Sequence, residues 1–403
     1  MTKEPKFDCI GKNSGKSPVN NIPPLDLTQQ YQQIQTEVEQ SVLEVLSSGR
    51  YIGGATVANF EQQFADYIGT THSISCNSGT DALYLTLRAL NIGPGDEVIT
   101  TPFTFIATAE VLSLAGATPV FVDIDESFNL DVNQVEAAIT PKTKAIIPVH
   151  LFGRPVPMTQ LMAIATAHNL YVIEDCAQAT GATWNNQRIG SIGHVGCFSF
   201  FPTKNLGACG DGGAVTTNDP AIAAQIRMLK EHGSKVRYVH DEVGVNSRLD
   251  ALQAAILSIK LRHLDAWNQG RALVAARYHQ LLQPLNDIIA PPETPGGQTV
   301  WNQYTIRVRI EGQTDASVRD HLRGQLQERG ISSMVYYPLP LHLQPVFASL
   351  GYQPGHLPAA ERAADEVLSL PMFPELTLDQ QQQVVYGLKD CLLAKAAVGF
   401  LRS

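Results

Sequence analysis

Tyr171-Val-Ile-Glu-Asp-Cys-Ala-Gln178 is a short apolar run that ends in acid. A run of that length with a carboxylate at its exit is the pattern of a strand buried on both faces that reaches the edge of a parallel sheet. Similar runs lie on either side of it. Ser73-Ile-Ser-Cys76, Glu97-Val-Ile-Thr-Thr101, Pro119-Val-Phe-Val-Asp123 and Ala145-Ile-Ile-Pro-Val149 come before, and Cys197-Phe-Ser-Phe200 and Gly213-Ala-Val-Thr216 come after. Helical patterns separate them; Leu83, Leu87 and Leu90 recur at helical spacing until the Gly93-Pro-Gly-Asp96 turn. Alternation of this kind predicts an α/β class domain: a doubly wound, mostly parallel sheet flanked by helices.

Beyond this core, Gln29 to Leu46 and Ala58 to Tyr67 read as amphipathic helices parted by Gly53-Gly54. A long helical pattern from Ala251 to Tyr278 leads into a stretch with fewer apolar runs. There Thr305-Ile-Arg-Val-Arg-Ile310 alternates like a half-exposed strand, and Asp315 to Arg329 reads as a helix. The expected organisation is a flexible N-terminal extension over 1–20, a large domain over 21–269 and a smaller α+β domain over 270–403.

A chain of 403 residues with 44% hydrophobic content can bury a large core. Its net charge of −9 argues against nucleic acid as a partner, because phosphate backbones require clustered lysine and arginine. The six cysteines are scattered without CxxC spacing, which fits a reducing, cytoplasmic setting. No apolar window approaches the length of a membrane span, and the polar start lacks a secretory core, so neither a membrane nor export is expected.

The chemistry gathers at the strand exits. In Gly196-Cys-Phe-Ser-Phe-Phe-Pro-Thr-Lys-Asn-Leu-Gly-Ala-Cys-Gly-Asp-Gly-Gly213, an apolar strand delivers Lys204 into a glycine-rich loop. Desolvation there favours the neutral amine, which can attack a carbonyl; a solvated surface lysine is the plain alternative. Ser78-Gly79-Thr80-Asp81 opens a helix after the first strand and reads as a phosphate seat or as an ordinary N-cap. Ser199 could add a hydroxyl to the same phosphate or be a satisfied core serine. Asp175 needs a cationic partner, which a protonated pyridine nitrogen, an arginine or a helix cap would satisfy. Gln178 could donate to a phenolic oxygen on that ring, and Phe105 offers a stacking face or a core side chain. Their shared position at the C-terminal edge of the sheet, where ligands bind in open α/β folds, favours the functional readings together. Phosphate seat, ring platform, carboxylate and lysine describe pyridoxal 5′-phosphate.

With these residues in view, the chain resembles the DegT/DnrJ/StrS family of sugar aminotransferases, within the fold-type I pyridoxal phosphate enzymes, from about Asp26 to the C-terminus. The resemblance is carried by Phe60-Glu-Gln-Gln-Phe-Ala65, Ser78-Gly-Thr-Asp-Ala82, Thr104-Phe-Ile-Ala-Thr108, Glu174-Asp-Cys-Ala-Gln178, Ser199 to Lys204, Gly210-Asp-Gly-Gly213 and Gly244-Val-Asn-Ser-Arg-Leu-Asp250. It implies that Lys204 carries the cofactor, that Asp175 meets its ring nitrogen and Gln178 its ring hydroxyl, that Phe105 stacks, and that Gly79, Thr80 and Ser199 hold phosphate. It also implies a homodimer with shared sites, in which Asn246 reaches the neighbouring subunit's phosphate. Arg248 would contact substrate, with a salt bridge to Asp250 or Glu242 as the alternative. Tyr336-Tyr-Pro-Leu-Pro-Leu-His342 resembles a segment that often reads His-Tyr-Pro near the sugar; Tyr337 carries over, and Tyr336 stands where histidine is usual. The implied reaction moves an amino group from L-glutamate to a nucleotide-linked keto sugar. The run His232-Gly-Ser, Tyr238-Val-His240 and the 244–250 block resemble members acting at C3 of UDP- or dTDP-linked sugars, with C4 amination or amination of an inosose as alternatives. Dehydratases of this fold carry histidine at the lysine position, so Lys204 argues against that class. A non-catalytic, cofactor-binding regulator is the alternative of another kind.

Overall fold

The computed structural model describes residues 21–310 and 316–399. The expected N-terminal extension over 1–20 lies outside the described residues.

Seven strands form the central sheet: β1 (His72–Cys76), β2 (Glu97–Thr100), β3 (Thr118–Phe121), β4 (Thr143–Ile147), β5 (Tyr171–Asp175), β6 (Val195–Ser199) and β7 (Gly213–Thr217). Their spatial order is β1-β7-β6-β5-β4-β2-β3. Five strands, β3 through β6 in that order, pair in parallel. β7 instead runs antiparallel to both β6 and β1, since the glycine-rich loop after Lys204 turns the chain straight back. The sheet is therefore mixed at the end where the lysine loop lies.

Alternation along β5 shows why its apolar run is continuous. Val172 joins the core on one face and Ile173 the core on the other, so neither side chain can be polar. Helix α1 (Leu27–Ser48) starts at Asp26, whose carboxylate accepts from the Thr28 N–H at 2.9 Å, and α2 (Gly54–Ile68) follows the glycine pair. Helix α3 (Gly79–Ala89) begins one residue after Ser78, whose Oγ accepts from the Asp81 N–H at 3.1 Å. Helix α4 (Ala107–Ala115) opens just beyond β2 and brings Thr108 under the sheet edge.

Helix α5 (Ala251–Leu282) passes through residue 270 without a break. Its first half sends Ala254, Leu257, Leu261 and Leu264 into the large core, and its second half sends Val274, Tyr278 and Leu282 into the smaller one. The smaller unit is an antiparallel sheet of β8 (Ile288–Ile289), β9 (Tyr304–Val308) and β10 (Val367–Leu370), with α6 (Ser317–Glu328) and α7 (Leu378–Gly399) packed on it. Ile22, near the start of the described chain, is also buried in this core. β9 corrects the half-exposed reading of 305–310, because all five of its residues are buried. Arg307 is accommodated inside by Glu126 at 2.9 Å and by the face of Phe128, which together offset the cost of burying a guanidinium.

Candidate active site

Lys204 leaves β6 in a tight turn, its N–H donating to the Phe201 carbonyl at 2.8 Å. Gly207 is required there, since a β-carbon would meet the Pro202 carbonyl oxygen at 2.3 Å. The side chain is half-buried, and desolvation lowers its ammonium to about 8 against a partly offsetting attraction from Asp175. Near neutral pH a useful fraction is thus the free amine.

Asp175, at the end of β5, is buried, and burial raises its carboxyl above the usual range. Two donors hold it: the Thr108 hydroxyl reaches Oδ2 at 2.8 Å and the Ala177 N–H reaches Oδ1 at 3.1 Å. Thr108 is a site residue that sequence reasoning missed as such; its block was noted, but the 67-residue separation hid the pairing. Lys204 attracts the carboxylate from nearby, and a ring cation would be well matched to it.

Gln178 is oriented by the Phe152 N–H, which donates to Oε1 at 2.7 Å and leaves Nε2 pointing to the Tyr337 hydroxyl at 3.3 Å. The Phe105 ring is exposed and lies 6.4 Å from the Tyr337 ring. Gly79 touches Ser199 so closely that a β-carbon would approach Ser199 Cβ to 2.7 Å. The N–H groups of Gly79 and Thr80, at the first positions of α3, have no partner within the helix. The residues present therefore fit pyridoxal 5′-phosphate: a phosphate cradle, a carboxylate for the ring nitrogen, an amide for the ring oxygen and an amine for the aldehyde.

Ser78 is itself the N-cap, as its plain reading held, while Gly79 and Thr80 remain free. Asn246 and Arg248 do not join this cluster within one chain. Asn246 is exposed and paired through backbone with Glu231, and Arg248 Nε donates to Glu231 at 2.7 Å. Neither Asp250 nor Glu242 is its partner, because the 231–246 bridge brings Glu231 alongside instead.

A buried trio, His150, Glu174 and Cys176, places three donor atoms together beside β5. Its bonding is already complete. Glu174 accepts from the N–H groups of Gly190, Ile192 and Gly193 at 2.9, 2.9 and 2.7 Å, and from His150 Nε2 at 3.1 Å. His150 Nδ1 accepts from the Val156 N–H at 3.0 Å, which assigns the proton to Nε2. Burial drives the Cys176 thiol well above its ordinary range. The trio ties two loops to β5 and offers no free ligand set for a metal.

The chain matches the DegT/DnrJ/EryC1/StrS aminotransferase family over residues 32–389, and it belongs to that family. It is 54% identical over 368 residues to the pleiotropic regulatory protein of Geobacillus stearothermophilus, covering 91% of this chain and 97% of that one. It is 48% identical over 373 residues to the UDP-N-acetyl-3-dehydro-alpha-D-glucosamine 3-aminotransferase of Acidithiobacillus ferrooxidans, covering 92% and 98%. The crystal structure of DesV from Streptomyces venezuelae, in complex with a ketimine intermediate, superposes with a TM-score of 0.88 at 45% identity, covering 92% of this chain and 98% of that one. The protein is a pyridoxal phosphate-dependent aminotransferase with the fold-type I architecture. Among the described residues no helix is long and apolar enough to cross a membrane.

Proposed function

We propose that this chain transfers the amino group of L-glutamate to C3 of a UDP- or dTDP-linked 3-oxo sugar, in the making of an amino sugar. The observation that carries the reading is the pairing of a buried carboxylate, Asp175, with a depressed-pKa lysine, Lys204, at one sheet edge. The activity for which the Acidithiobacillus relative is named supports the C3 position and the nucleotide sugar.

When bound, pyridoxal 5′-phosphate supplies an aldehyde for an amine and a protonated ring that withdraws electrons from the carbon next to that amine's nitrogen. Gly79 and Thr80 N–H groups and the Ser199 hydroxyl would hold its phosphate. Asp175, steadied by Thr108, would keep the ring nitrogen protonated, and the Gln178 amide, set by Phe152, would donate to the ring oxygen. Phe105 would cover the ring. Lys204 Nζ, as a free amine, would take the proton from the donor's α-carbon and, once protonated, would give one back in each half-reaction. The same group delivers a proton in the reverse sense to the sugar carbon.

A homodimer completes this account. Tyr238, Val239 and Val243 form an exposed apolar flank beside Asn246, and Phe105 is 58% exposed, surfaces that a second copy would cover. Asn246 would then reach the partner's phosphate, with Arg248 and Tyr337 near substrate. A mixed dimer of Asn246→Ala and Lys204→Ala chains should recover about a quarter to a half of activity that neither parent has; no recovery would remove the cross-subunit role.

C4 amination, or amination of an inosose, is the alternative within the class. A regulatory role is the second reading, favoured by the name of the Geobacillus relative. The test is a panel of UDP- and dTDP-linked 3-oxo and 4-oxo sugars with L-glutamate, read by mass spectrometry. Amination of a 3-oxo member alone is the expected result. Bound cofactor with no bleaching by glutamate and no aminated product would favour the regulator.

A further inference from the structure

Between the two domains, beside the lysine turn, lies an open cleft of about 90 Å³. That is room for several water molecules or for one edge of a ligand rather than for a whole nucleotide sugar. Thr203, bonded directly to Lys204, lines it together with Asn302, Gln303, Met334, Tyr336 and Ser369, and no charged side chain does.

Asn302 has a defined orientation. Its Nδ2 donates to the Thr203 carbonyl at 3.3 Å and to Asn205 Oδ1 at 2.8 Å. Asn205 cannot donate in return, since its own Nδ2 is committed to Asn268 Oδ1 at 2.7 Å and the Val300 carbonyl at 2.9 Å. Asn302 Oδ1 is thereby left as an acceptor. It is buried with no partner among the described residues, and so is Gln303 Oε1 one residue on. Two orphaned carbonyl oxygens on residues that line a cleft beside the lysine turn are costly unless a water or a ligand donates to them.

We propose that Asn302 Oδ1 and Gln303 Oε1 form a subsite for the neutral, hydrogen-bond-donating hydroxyl edge of the acceptor sugar. The inference rests on the nucleotide-sugar reading above and adds to it a rule of selection. Acceptor oxygens welcome hydroxyl donors and repel a carboxylate, so a neutral hexose is preferred to a uronic acid at this end of the substrate. Asn302 also positions the lysine turn through Thr203 and Asn205, which makes Gln303 the cleaner position to change.

The probes are UDP, UDP-glucose and UDP-glucuronic acid, titrated calorimetrically into the cofactor-loaded enzyme, with dTDP and dTDP-glucose covering the second nucleotide. The wild type should bind a glucose conjugate more tightly than the nucleotide alone, and UDP-glucuronic acid no more tightly than UDP. Gln303→Met should lower the gain from glucose about fivefold, the scale of one lost hydrogen bond, while the nucleotide alone binds as before. Gln303→Lys should reverse the preference toward the uronic acid. Visible absorbance of bound cofactor checks that each variant is folded. An undiminished glucose gain in Gln303→Met, or a wild-type preference for the uronic acid, overturns the subsite. Failure of every nucleotide probe to bind overturns the nucleotide-sugar reading instead, and the subsite falls with it.

Discussion

The Thr108 hydroxyl donates to Asp175 Oδ2 at 2.8 Å, from a helix that starts beyond β2 to the end of β5. Asp175 is buried, and its carboxyl is raised above the ordinary range in spite of that bond. The hydroxyl therefore favours the ionised carboxylate against the larger effect of burial.

Thr108→Val keeps the shape and removes the donor. Cofactor affinity should fall by about ten- to a hundredfold, the value of one hydrogen bond to a charged group. Equilibrium dialysis of pyridoxal 5′-phosphate measures it; unchanged affinity would mean that the hydroxyl only fills space. Because the folded Asp175 pKa is raised, its contribution to the stability of the cofactor-free protein is present at low pH and lost as pH rises through that group's range. Asp175→Asn should then melt higher than wild type near neutral pH without cofactor, yet show little turnover.

Lys204 has the opposite sign. Its folded pKa is lowered from 10.5 to about 8, so the cofactor-free protein gains stability as pH rises from about 8 toward 10.5. Lys204→Met should be more stable than the wild-type apoprotein at pH 7, by on the order of 2–3 kcal/mol in urea titrations. Capture of pyridoxal 5′-phosphate by the wild-type apoprotein should quicken roughly tenfold between pH 7 and pH 9 as the amine is freed. A rise of about a hundredfold over the same interval, still climbing above pH 9, would show that the ammonium is not depressed.

Gly79→Ala would press a β-carbon to within 2.7 Å of Ser199 Cβ. Backbone on the α3 side must yield, and the phosphate cradle with it. Retention of cofactor during gel filtration should drop at least tenfold relative to wild type, with a loss of about 1–3 kcal/mol in stability from overpacking. Retention equal to wild type would place the phosphate elsewhere.

Glu174→Ala tests the trio beside β5. It strips acceptors from three backbone N–H groups and from His150 in a fully buried setting. Unfolding free energy should fall by about 3–5 kcal/mol, as for other broken buried networks. Added zinc should not restore it, since only His150 and Cys176 would remain and His150 Nδ1 is taken by the Val156 N–H; rescue by metal would contradict the assignment.

The alternation of apolar runs around Tyr171–Asp175 was enough to place a buried sheet, because a strand covered on both faces has to be apolar throughout. Lys204, Asp175 and Gln178 could be picked out as candidates for a related reason: a charged or amide group at the exit of such a strand needs a polar partner. Other features left no local trace. The antiparallel course of β7 depends on where the loop after Lys204 returns, and the burial of β9 depends on a carboxylate from Glu126, 181 residues away. Arg248 chose Glu231 because a single backbone bridge set those two segments side by side.

Sequence by itself determined the class of fold and the chemical identity of the site, since periodicity and the cost of burying polar groups act within a few residues. Tertiary structure alone decided the bonds that hold Thr108 to Asp175, Phe152 to Gln178 and Asn302 to the lysine turn. Those depend on directions and distances between segments far apart in the chain, and hydrogen bonds are lost within fractions of an ångström.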